Sequence, residues 1–378
     1  MTNTPHTHLI TPFEVRIADA DLEDLHDRLA RTRYPAATPD QSWDRGTPGS
    51  YLREMVQAWR SFDWRAQEAR INAHPNYRTE IDGQTIHFIH VRSRHDDATP
   101  LLLAHTYPGS FMDYLDVIEP LTDPTRHGGR AEDAFHLVIP SLPGMGFSTP
   151  LSASGFTMER TARVFDALMR ALGYERYGAH GSDAGAMVAR ELAMLAPDGF
   201  LGAHVLQLFS FPSGDPSEFE SMTPADYGAL EFAGWFQTVN GYADMNAKRP
   251  LTIAAALSDS PVGQLAYNEL FENFGNGTSL MTHEQVLAQV TLQWLTNTSV
   301  GATLFHYTEK DAAPRVNQGP IGVAVFADDF RSIRPFAERD NTNIVSWTEH
   351  PRGGHFAAME VPGDLAVAVR EFYGDRRS

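Results

Sequence analysis

The sequence predicts an α/β protein with a doubly wound, mostly parallel β-sheet and a helical segment inserted into it. Beyond residue 100, short apolar runs of strand length alternate with stretches of helical periodicity, as expected for parallel strands joined by crossover helices. Between residues 212 and 314 this rhythm stops and aromatic-rich helical sequence takes over, which indicates a helical cap inserted into the core. The apolar runs that predict strands lie at 101–104, 137–140, 203–208 and 321–326.

The segment ahead of this core predicts two helices and a hairpin. Apolar residues at helical spacing predict amphipathic helices at 18–34 and 51–59. Alternating polarity around an Asp82-Gly83 turn predicts a β-hairpin at 77–91 that feeds the sheet. We therefore expect an N-terminal meander with the first hairpin, a core in two parts and a cap between them. The expected boundaries are 1–95 for the meander, 96–212 and 315–378 for the core, and 213–314 for the cap.

Composition excludes several classes of function. The chain has 378 residues, 48 acidic and 30 basic side chains and a formal net charge of −18, which opposes binding to nucleic acids or anionic membranes. It has no cysteine, so we expect no disulfide framework, no thiolate nucleophile and no zinc-ribbon site. No run approaches the ~18 apolar residues that span a bilayer, and residues 1–12 lack the basic and apolar regions of a signal peptide. We expect a cytoplasmic protein without a membrane anchor.

A Gly-Ser-Asp-Ala-Gly segment between a predicted strand and a predicted helix is the strongest chemical signal. A nucleophile on a sharp strand-to-helix turn has strained backbone angles, and only very small residues fit two positions before and after it. Gly181 and Gly185 occupy those two positions around Asp183. Around Ser182 one of them would be His180, which is too large. The spacing therefore favours a carboxylate nucleophile, and a glycine-rich turn with an aspartate cap is the structural alternative.

A carboxylate nucleophile requires partners further along the chain. It attacks a saturated carbon and forms an ester, so a histidine base must activate water and an acid must orient that histidine. Asp328 and Asp329 directly follow the predicted strand at 321–326, at the sheet edge where catalytic side chains project. His355 lies in a glycine-rich loop after a strand-like run at 344–347. One of the two aspartates is the expected acid, and the other could cap the following helix.

The loop at 105–110 follows the predicted strand at 101–104 and precedes the nucleophile. In α/β-hydrolases this loop supplies one backbone N–H of an oxyanion hole, and the residue after the nucleophile supplies the other. Those donors would be Tyr107 and Ala184. A plain Pro-Gly turn is the structural alternative.

These motifs, together with others along nearly the whole chain, resemble epoxide hydrolases of the microsomal and juvenile-hormone type, in a soluble, bacterial-like form. The pair Arg249-Pro250 with residues 256–263 in the predicted cap is especially specific. In the N-terminal meander the resembling segments are 12–15, 31–35, 63–65 and 86–90. In the core they are 141–144, 146–148, 172–174, 181–185 and 353–360.

The resemblance implies the α/β-hydrolase fold and the conversion of a small hydrophobic epoxide to a vicinal diol, without metal or cofactor. It implies Asp183 as nucleophile, His355 as base and, three residues after a phenylalanine, Asp329 rather than its neighbour as the acid. Two cap tyrosines of this family donate hydrogen bonds to the oxirane oxygen, and Tyr242 and Tyr307 resemble them. A phenol suits that role because it can donate to a developing alkoxide without protonating the nucleophile at neutral pH.

The chain departs from the family beside the nucleophile. The family usually has glycine and tryptophan after the histidine of the oxyanion loop, where this chain has Thr106 and Tyr107. The residue after the nucleophile is often tryptophan, where this chain has Ala184. Backbone donors do not depend on the side chain, so the oxyanion hole survives these departures. Ala184 removes a large aromatic wall and Thr106 adds bulk nearby, which predicts a pocket reshaped for an unusual epoxide.

Three alternatives stay open on the sequence alone. A haloalkane dehalogenase shares the aspartate and the histidine, although its chemistry wants a donor such as tryptophan beside the nucleophile to hold halide, and Ala184 offers no side-chain donor. A non-catalytic ligand-binding homologue would keep only the pocket. A biosynthetic variant would open the ring with a substrate hydroxyl instead of water. The sequence also leaves open whether the chain forms a homodimer.

Overall fold

A computed structural model describes residues 8–36, 39, 42–311, 313–374 and 376. The first seven residues of the expected N-terminal meander lie outside this described part of the chain. The strands are β1 (Thr11–Phe13), β2 (Asn76–Ile81), β3 (Gln84–Val91), β4 (Thr99–Ala104), β5 (Phe135–Pro140), β6 (Tyr177–Gly181), β7 (Phe200–Val205), β8 (Ile321–Asp328) and β9 (Ile344–Gly354).

These strands form one sheet in the order β1-β2-β3-β5-β4-β6-β7-β8-β9. The pairs β1–β2, β2–β3 and β3–β5 are antiparallel. Every pair from β5–β4 to β8–β9 is parallel. The predicted doubly wound, mostly parallel sheet is therefore confirmed. The chain runs from β4 outward to β5 and then crosses back to β6, so the carboxyl end of β4 borders a topological switch point, where such sheets place their ligands.

The helices fall into three groups along the chain. Before the insertion they are α1 (Asp19–Ala30), α2 (Gly49–Trp59), α3 (Trp64–Asn72), α4 (Ile118–Thr122), α5 (Met158–Ala171) and α6 (Ala184–Leu195). Between β7 and β8 they are α7 (Pro224–Val239), α8 (Gly241–Lys248), α9 (Pro250–Leu257), α10 (Pro261–Tyr267), α11 (His283–Thr296) and α12 (Ser299–Glu309). After β8 they are α13 (Arg334–Asp340), α14 (Ala357–Glu360) and α15 (Pro362–Gly374). Short 3-10 helices lie at Phe111–Val117, Pro124–Arg126, Ala131–Asp133, Pro216–Phe219 and Glu269–Glu272.

Helices α7 to α12 occupy the stretch of chain in which the inserted cap is expected. The domain boundaries drawn from the sequence remain predictions. Across the described residues, no helix is both long enough and apolar enough to cross a membrane.

Apolar side chains cover both faces of the central strands. In β4, Leu101 and Leu103 pack into one hydrophobic cluster, while Leu102 and Ala104 pack into the cluster on the other face, as strand alternation requires. The first cluster includes α15, and the second includes α5 and α6. A strand buried on both faces has an unbroken apolar sequence, which is why β4 could be predicted.

The N-terminal helices α1 and α2 pack against the inserted helices. Leu25, Met55 and Trp59 share one hydrophobic cluster with Leu287 of α11. The indole N–H of Trp59 also donates to the hydroxyl of Thr291 at 2.7 Å. The N-terminal helices α1 and α2 therefore support the inserted helices, such as α11, by direct packing.

Two predicted strands have wrong ends. β7 stops at Val205, short of the predicted residue 208, and the N–H of Leu208 donates to the hydroxyl of Ser332 at 2.7 Å instead of continuing the ladder. β9 runs to Gly354, well past the predicted residue 347. It lies at the edge of the sheet and is only partly buried, so polar residues interrupt its apolar pattern and conceal its length. His355 consequently follows β9 directly, without the intervening loop that we expected.

Candidate active site

Asp183 lies on the turn between β6 and α6. Its φ of +50° and ψ of −116° form a strained combination for a residue with a side chain. A Cβ on Gly181 would lie 2.0 Å from the carbonyl oxygen of Gly185, and one on Gly185 would lie 1.9 Å from that of Ala104. Close backbone approach on both sides of the turn therefore requires the two glycines that the sequence pattern singles out.

Gly185→Ala is expected to lower the free energy of unfolding by about 2 kcal/mol or more. The added Cβ collides with the backbone of β4, which cannot move without disturbing its pairing with β6. Urea unfolding followed by circular dichroism measures the loss. Gly234→Ala in α7 is the matched control, because nothing lies within 4 Å of the added Cβ and alanine favours a helix. Equal stability of the two variants would contradict the close approach.

His355 and Asp329 form a buried pair next to the nucleophile. Nδ1 of His355 lies 2.9 Å from Oδ1 of Asp329, and Nε2 lies 3.9 Å from Oδ1 of Asp183. The other oxygen of Asp329 accepts a hydrogen bond from the side-chain amide of Gln207. The neighbouring Asp328 is exposed. Of the two aspartates that the sequence offers, the structure brings Asp329 to the histidine.

The charges around His355 favour its protonated form in the resting site. Burial disfavours the imidazolium, but the carboxylates of Asp329 and Asp183 outweigh it and raise the pKa of His355 to about 9. Glu360 adds negative charge nearby, and burial raises the pKa of its own carboxyl to about 7. Loss of charge on a neighbouring carboxylate would therefore lower the pKa of His355 towards neutrality.

Tyr107 and Ala184 lie where the oxyanion donors are expected. The backbone N–H of Tyr107 donates to Oδ2 of Asp183 at 3.0 Å. Ala184 is buried and is the first residue of α6, so its backbone N–H has no acceptor within its own helix. Backbone donors in this place can stabilise the negative charge that develops when an ester on the nucleophile is attacked.

The loop that carries Tyr107 is tied to a buried carboxylate, Asp113. Asp113 accepts hydrogen bonds from the backbone N–H of Thr106 at 3.1 Å, from its hydroxyl at 2.7 Å and from the N–H of Ser110 at 3.2 Å. The amide of Gln289 in α11 donates to the same carboxyl at 2.8 Å. Burial raises the pKa of Asp113 to about 6, although these hydrogen bonds favour the charged form. Asp113 thus holds both ends of the loop.

Asp113→Asn is expected to cost about 1–3 kcal/mol of unfolding free energy, because an amide nitrogen would replace one acceptor oxygen and face backbone donors. The loop would also lose its anchor, so turnover should fall. Asp116→Asn is the matched control: it lies in the same 3-10 helix, but its partner Arg70 and its own side chain are both exposed. Urea unfolding and steady-state rates measure both effects. Wild-type stability and turnover in Asp113→Asn would contradict the anchoring role.

Tyr242 and Tyr307, the two expected ring-opening donors, have different surroundings. Tyr242 in α8 stacks on Tyr107 with ring centroids 6.0 Å apart, and burial together with the nearby charge of Asp183 raises the pKa of Tyr242 well above 10. Tyr307 is 45% exposed, and the ammonium of Lys310 lies 4.4 Å from its ring centroid.

The structure places the ring of Tyr307 on the outer side of α12, away from Asp183, and its role as a ring-opening donor remains a prediction. A helix turns by about 100° per residue, so consecutive residues of α12 face different sides. His306 faces inward, with its ring centroid 4.9 Å from that of Tyr107, while Tyr307 faces outward.

Sequence reasoning missed three polar residues around the nucleophile: Asp113, Gln207 and His306. The side-chain oxygen of Gln207 accepts from the backbone N–H of Asp183 at 2.7 Å, and its amide donates to Asp329, so it links the two aspartates. A single glutamine near the carboxyl end of an apolar run is a signal that could have identified it. No comparable local pattern marks the other two.

An apolar cavity opens beside Ala184. The side chains around it come from the core loops, from α5 and from α12, and they include Leu142, Met145, Phe156, Leu304 and Phe305. Within the described residues, no group of three or more histidine, aspartate or glutamate side chains is arranged to hold a metal ion. The site thus consists of a carboxylate, a histidine–aspartate pair, backbone donors and an apolar wall.

A doubly wound sheet that presents a carboxylate on a strained strand-to-helix turn, beside a histidine–aspartate pair, defines an α/β-hydrolase with aspartate in the nucleophile position. Family comparisons agree with this class: residues 99–239 match the alpha/beta hydrolase fold family, and residues 10–114 match the family described as epoxide hydrolase N terminus. With the relatives described next, these matches show that the chain belongs to the epoxide hydrolase family.

Three similar proteins illustrate the relationship. A Stigmatella aurantiaca protein provisionally named an epoxide hydrolase is 39% identical over 383 residues, which cover 98% of this chain and 86% of that protein. Epoxide hydrolase 1 of Sus scrofa is 32% identical over 97% of this chain and 88% of its own length. The solved structure of Aspergillus niger epoxide hydrolase superposes with a TM-score of 0.84 at 31% identity, covering 97% of each chain.

Proposed function

We propose that this protein hydrolyses an epoxide to a vicinal diol through a covalent ester on Asp183. The observation that carries the proposal is the setting of that carboxylate. Its Oδ2 accepts from the N–H of Tyr107, and its Oδ1 lies 3.9 Å from Nε2 of His355. The names of the relatives at 39% and 32% identity support an epoxide as the substrate class.

In the first step Asp183 is the nucleophile. A carboxylate oxygen forms a bond to one oxirane carbon, the ring C–O bond breaks, and its electron pair stays on the oxygen. The phenol of Tyr242 gives its proton to that oxygen and later regains one, relayed by water, from the His355 imidazolium. Because burial and the charge of Asp183 raise its pKa well above 10, Tyr242 stays protonated at neutral pH until the ring opens.

In the second step water cleaves the ester. Alkylation removes the negative charge of Asp183, one of the carboxylates that raise the pKa of His355, so this pKa falls; the imidazolium then gives its proton, through water, to the Tyr242 phenolate and becomes a base. It takes a proton from water, whose oxygen attacks the ester carbonyl while the N–H groups of Tyr107 and Ala184 hold the oxyanion. The diol oxygen leaves with the proton from His355, and the carboxylic acid left on Asp183 gives its proton to the imidazole, which restores the carboxylate and the resting imidazolium. Asp329 keeps the imidazole oriented throughout.

We further propose that the substrate is a small hydrophobic epoxide. The cavity beside Ala184 is lined mainly by aliphatic, methionine and phenylalanine side chains, which favour an apolar substituent on the oxirane. A neutral epoxide is little affected by the net charge of −18. A cytoplasmic location remains part of the proposal.

A panel of aryl, terpenoid and polycyclic epoxides assayed for diol identifies the substrate. With enzyme in excess over the best epoxide in heavy-oxygen water, the first-turnover diol is expected to be unlabelled, because its new oxygen comes from Asp183. Mass spectrometry should find the label in the protein. Label in the first-turnover diol would indicate direct attack by water and would contradict the covalent route.

The haloalkane dehalogenase alternative is tested in the same assay. Haloalkanes matched in size to the best epoxide are incubated with the enzyme, and halide release is measured. We expect none above background. Halide release without diol formation from any epoxide would overturn the proposed function.

A further inference from the structure

Gln293 of α11 contacts the loop that carries Tyr107, and the two steps above give it no role. Its side-chain amide donates to the carbonyl oxygen of Pro108, the residue after Tyr107. Asp113 binds the same loop at its two ends, so Gln293 adds a bond at the middle. Gln293 is buried, so this bond is made away from solvent. The position of the Tyr107 N–H therefore depends on an inserted helix as well as on the core.

Two other amides of the inserted segment hold the side-chain oxygen of Gln293. Gln264 of α10 donates to it at 2.7 Å, and Asn268, which follows α10, donates to it as well. The side-chain oxygen of Gln264 accepts in turn from the hydroxyl of Ser299, the first residue of α12, at 2.6 Å. All four side chains are buried. Because the oxygen of Gln293 already accepts from two donors, its NH₂ group is the part that faces Pro108.

We propose that Gln293 positions the oxyanion hole: by fixing Pro108, it fixes the N–H of Tyr107 for the hydrolysis of the ester. Gln293 acts through the loop and is therefore a positioning residue. The inference rests on the proposed function. Through Gln264 and Ser299, the same bonds connect the loop to α12, whose side chains line the cavity beside Ala184. The wall of the cavity and the oxyanion donor are thus held in one buried network.

The two chemical steps depend on the Tyr107 N–H in opposite ways. In the resting site this N–H donates to Oδ2 of Asp183 at 3.0 Å. During alkylation negative charge leaves the carboxylate, so the bond favours the starting state and its loss does not slow this step. During hydrolysis negative charge returns to the ester carbonyl oxygen, where the N–H stabilises it. Displacement of the loop should therefore slow hydrolysis selectively, whereas a general loss of packing would slow both steps.

Three variants separate positioning from packing. Gln293→Met keeps the length of the side chain but cannot donate to Pro108. Gln264→Met leaves the bond to Pro108 in place and removes one of the two donors that orient Gln293, so it is the second test should Gln293→Met fail to fold. Thr291→Val is the matched control. It removes a buried hydrogen bond, from the indole of Trp59, on the other side of the same helix.

The test measures ester formation separately from ester hydrolysis, with the best substrate of the epoxide panel. In a His355→Gln background, the gain of adduct mass on the intact protein gives the alkylation rate. The decay of the adduct after free epoxide is removed gives the hydrolysis rate. Steady-state kcat and KM are measured with His355 intact. Adduct formation with Gln293 intact establishes the proposed function first, so its failure would be distinct from failure of this inference.

Gln293→Met is expected to slow hydrolysis of the ester about 10–100-fold, up to the effect of removing one oxyanion donor, and to leave alkylation within about threefold. With His355 intact, kcat and KM should fall together, so that kcat/KM, which reports the steps up to alkylation, is nearly unchanged. Gln264→Met should show the same pattern with a smaller loss, and Thr291→Val should not show it. Unchanged hydrolysis in either glutamine variant would overturn the inference. Equal slowing of both steps, or the same selective loss in Thr291→Val, would also overturn it.

Discussion

Asp183→Ala is expected to abolish diol formation, lowering kcat/KM by about 10⁴-fold or more, because the proposed ester forms on its carboxylate. Asp183 is the carboxylate that the turn between β6 and α6 presents. Its strained backbone conformation, with a φ of +50°, is typical of a functional position. Steady-state rates of diol formation measure the loss, and circular dichroism confirms that the variant is folded. Full activity in Asp183→Ala would rule out the covalent mechanism.

Ser182→Ala is the matched control for this experiment. Ser182 is the adjacent hydroxyl, and it is buried and donates to the carbonyl oxygen of His355 at 3.2 Å. The variant should therefore keep turnover within about tenfold of the wild type, since only neutral hydrogen bonds, to the carbonyl of His355 and to the side chain of Gln207, are lost. The reverse pattern, with Ser182→Ala inactive and Asp183→Ala active, would show that the hydroxyl is the nucleophile.

His355→Gln is expected to trap the ester on Asp183. Alkylation needs no base, whereas ester hydrolysis loses water activation and should slow by about 10²–10⁴-fold. The intact protein should gain the mass of one epoxide, and a peptide map should place that mass on Asp183. Loss of turnover without any adduct would contradict the assignment of His355 to the second step.

The free energy of unfolding of His355→Gln should depend on pH differently from that of the wild type. The folded-state pKa of His355, about 9, lies above the value of about 6.5 in an unfolded chain. The stabilisation from its charged form is therefore complete below pH 6.5 and is lost as pH rises through 9. Urea unfolding of the wild type between pH 6 and 10 should show this decline in the free energy of unfolding. In His355→Gln the part of the decline that comes from titration of His355 should be absent. Identical pH profiles would contradict the raised pKa.

The sequence by itself determined the sheet and the sharp turn that carries Asp183. Strands buried on both faces, such as β4, are unbroken apolar runs, and the turn at Asp183 needs glycine on both sides because the backbone approaches closely there. Both signals are local, so they can be recognised in a single sequence. The strand ends were less predictable, because β9 is partly exposed and the chain leaves the sheet after Val205, where Gln207 bonds to Asp183 instead of extending β7.

Only the tertiary structure decided which side chains meet at Asp183. The resemblance already preferred Asp329 to Asp328, and the structure supplies the reason, since only Asp329 faces His355. Which residues of α12 face inward, as His306 does, and which face outward, as Tyr307 does, depends on the rotation of the helix about its axis. These choices arise from packing between elements that are distant in the chain. A side chain's direction is set by its neighbours in space, which the order of residues alone does not reveal.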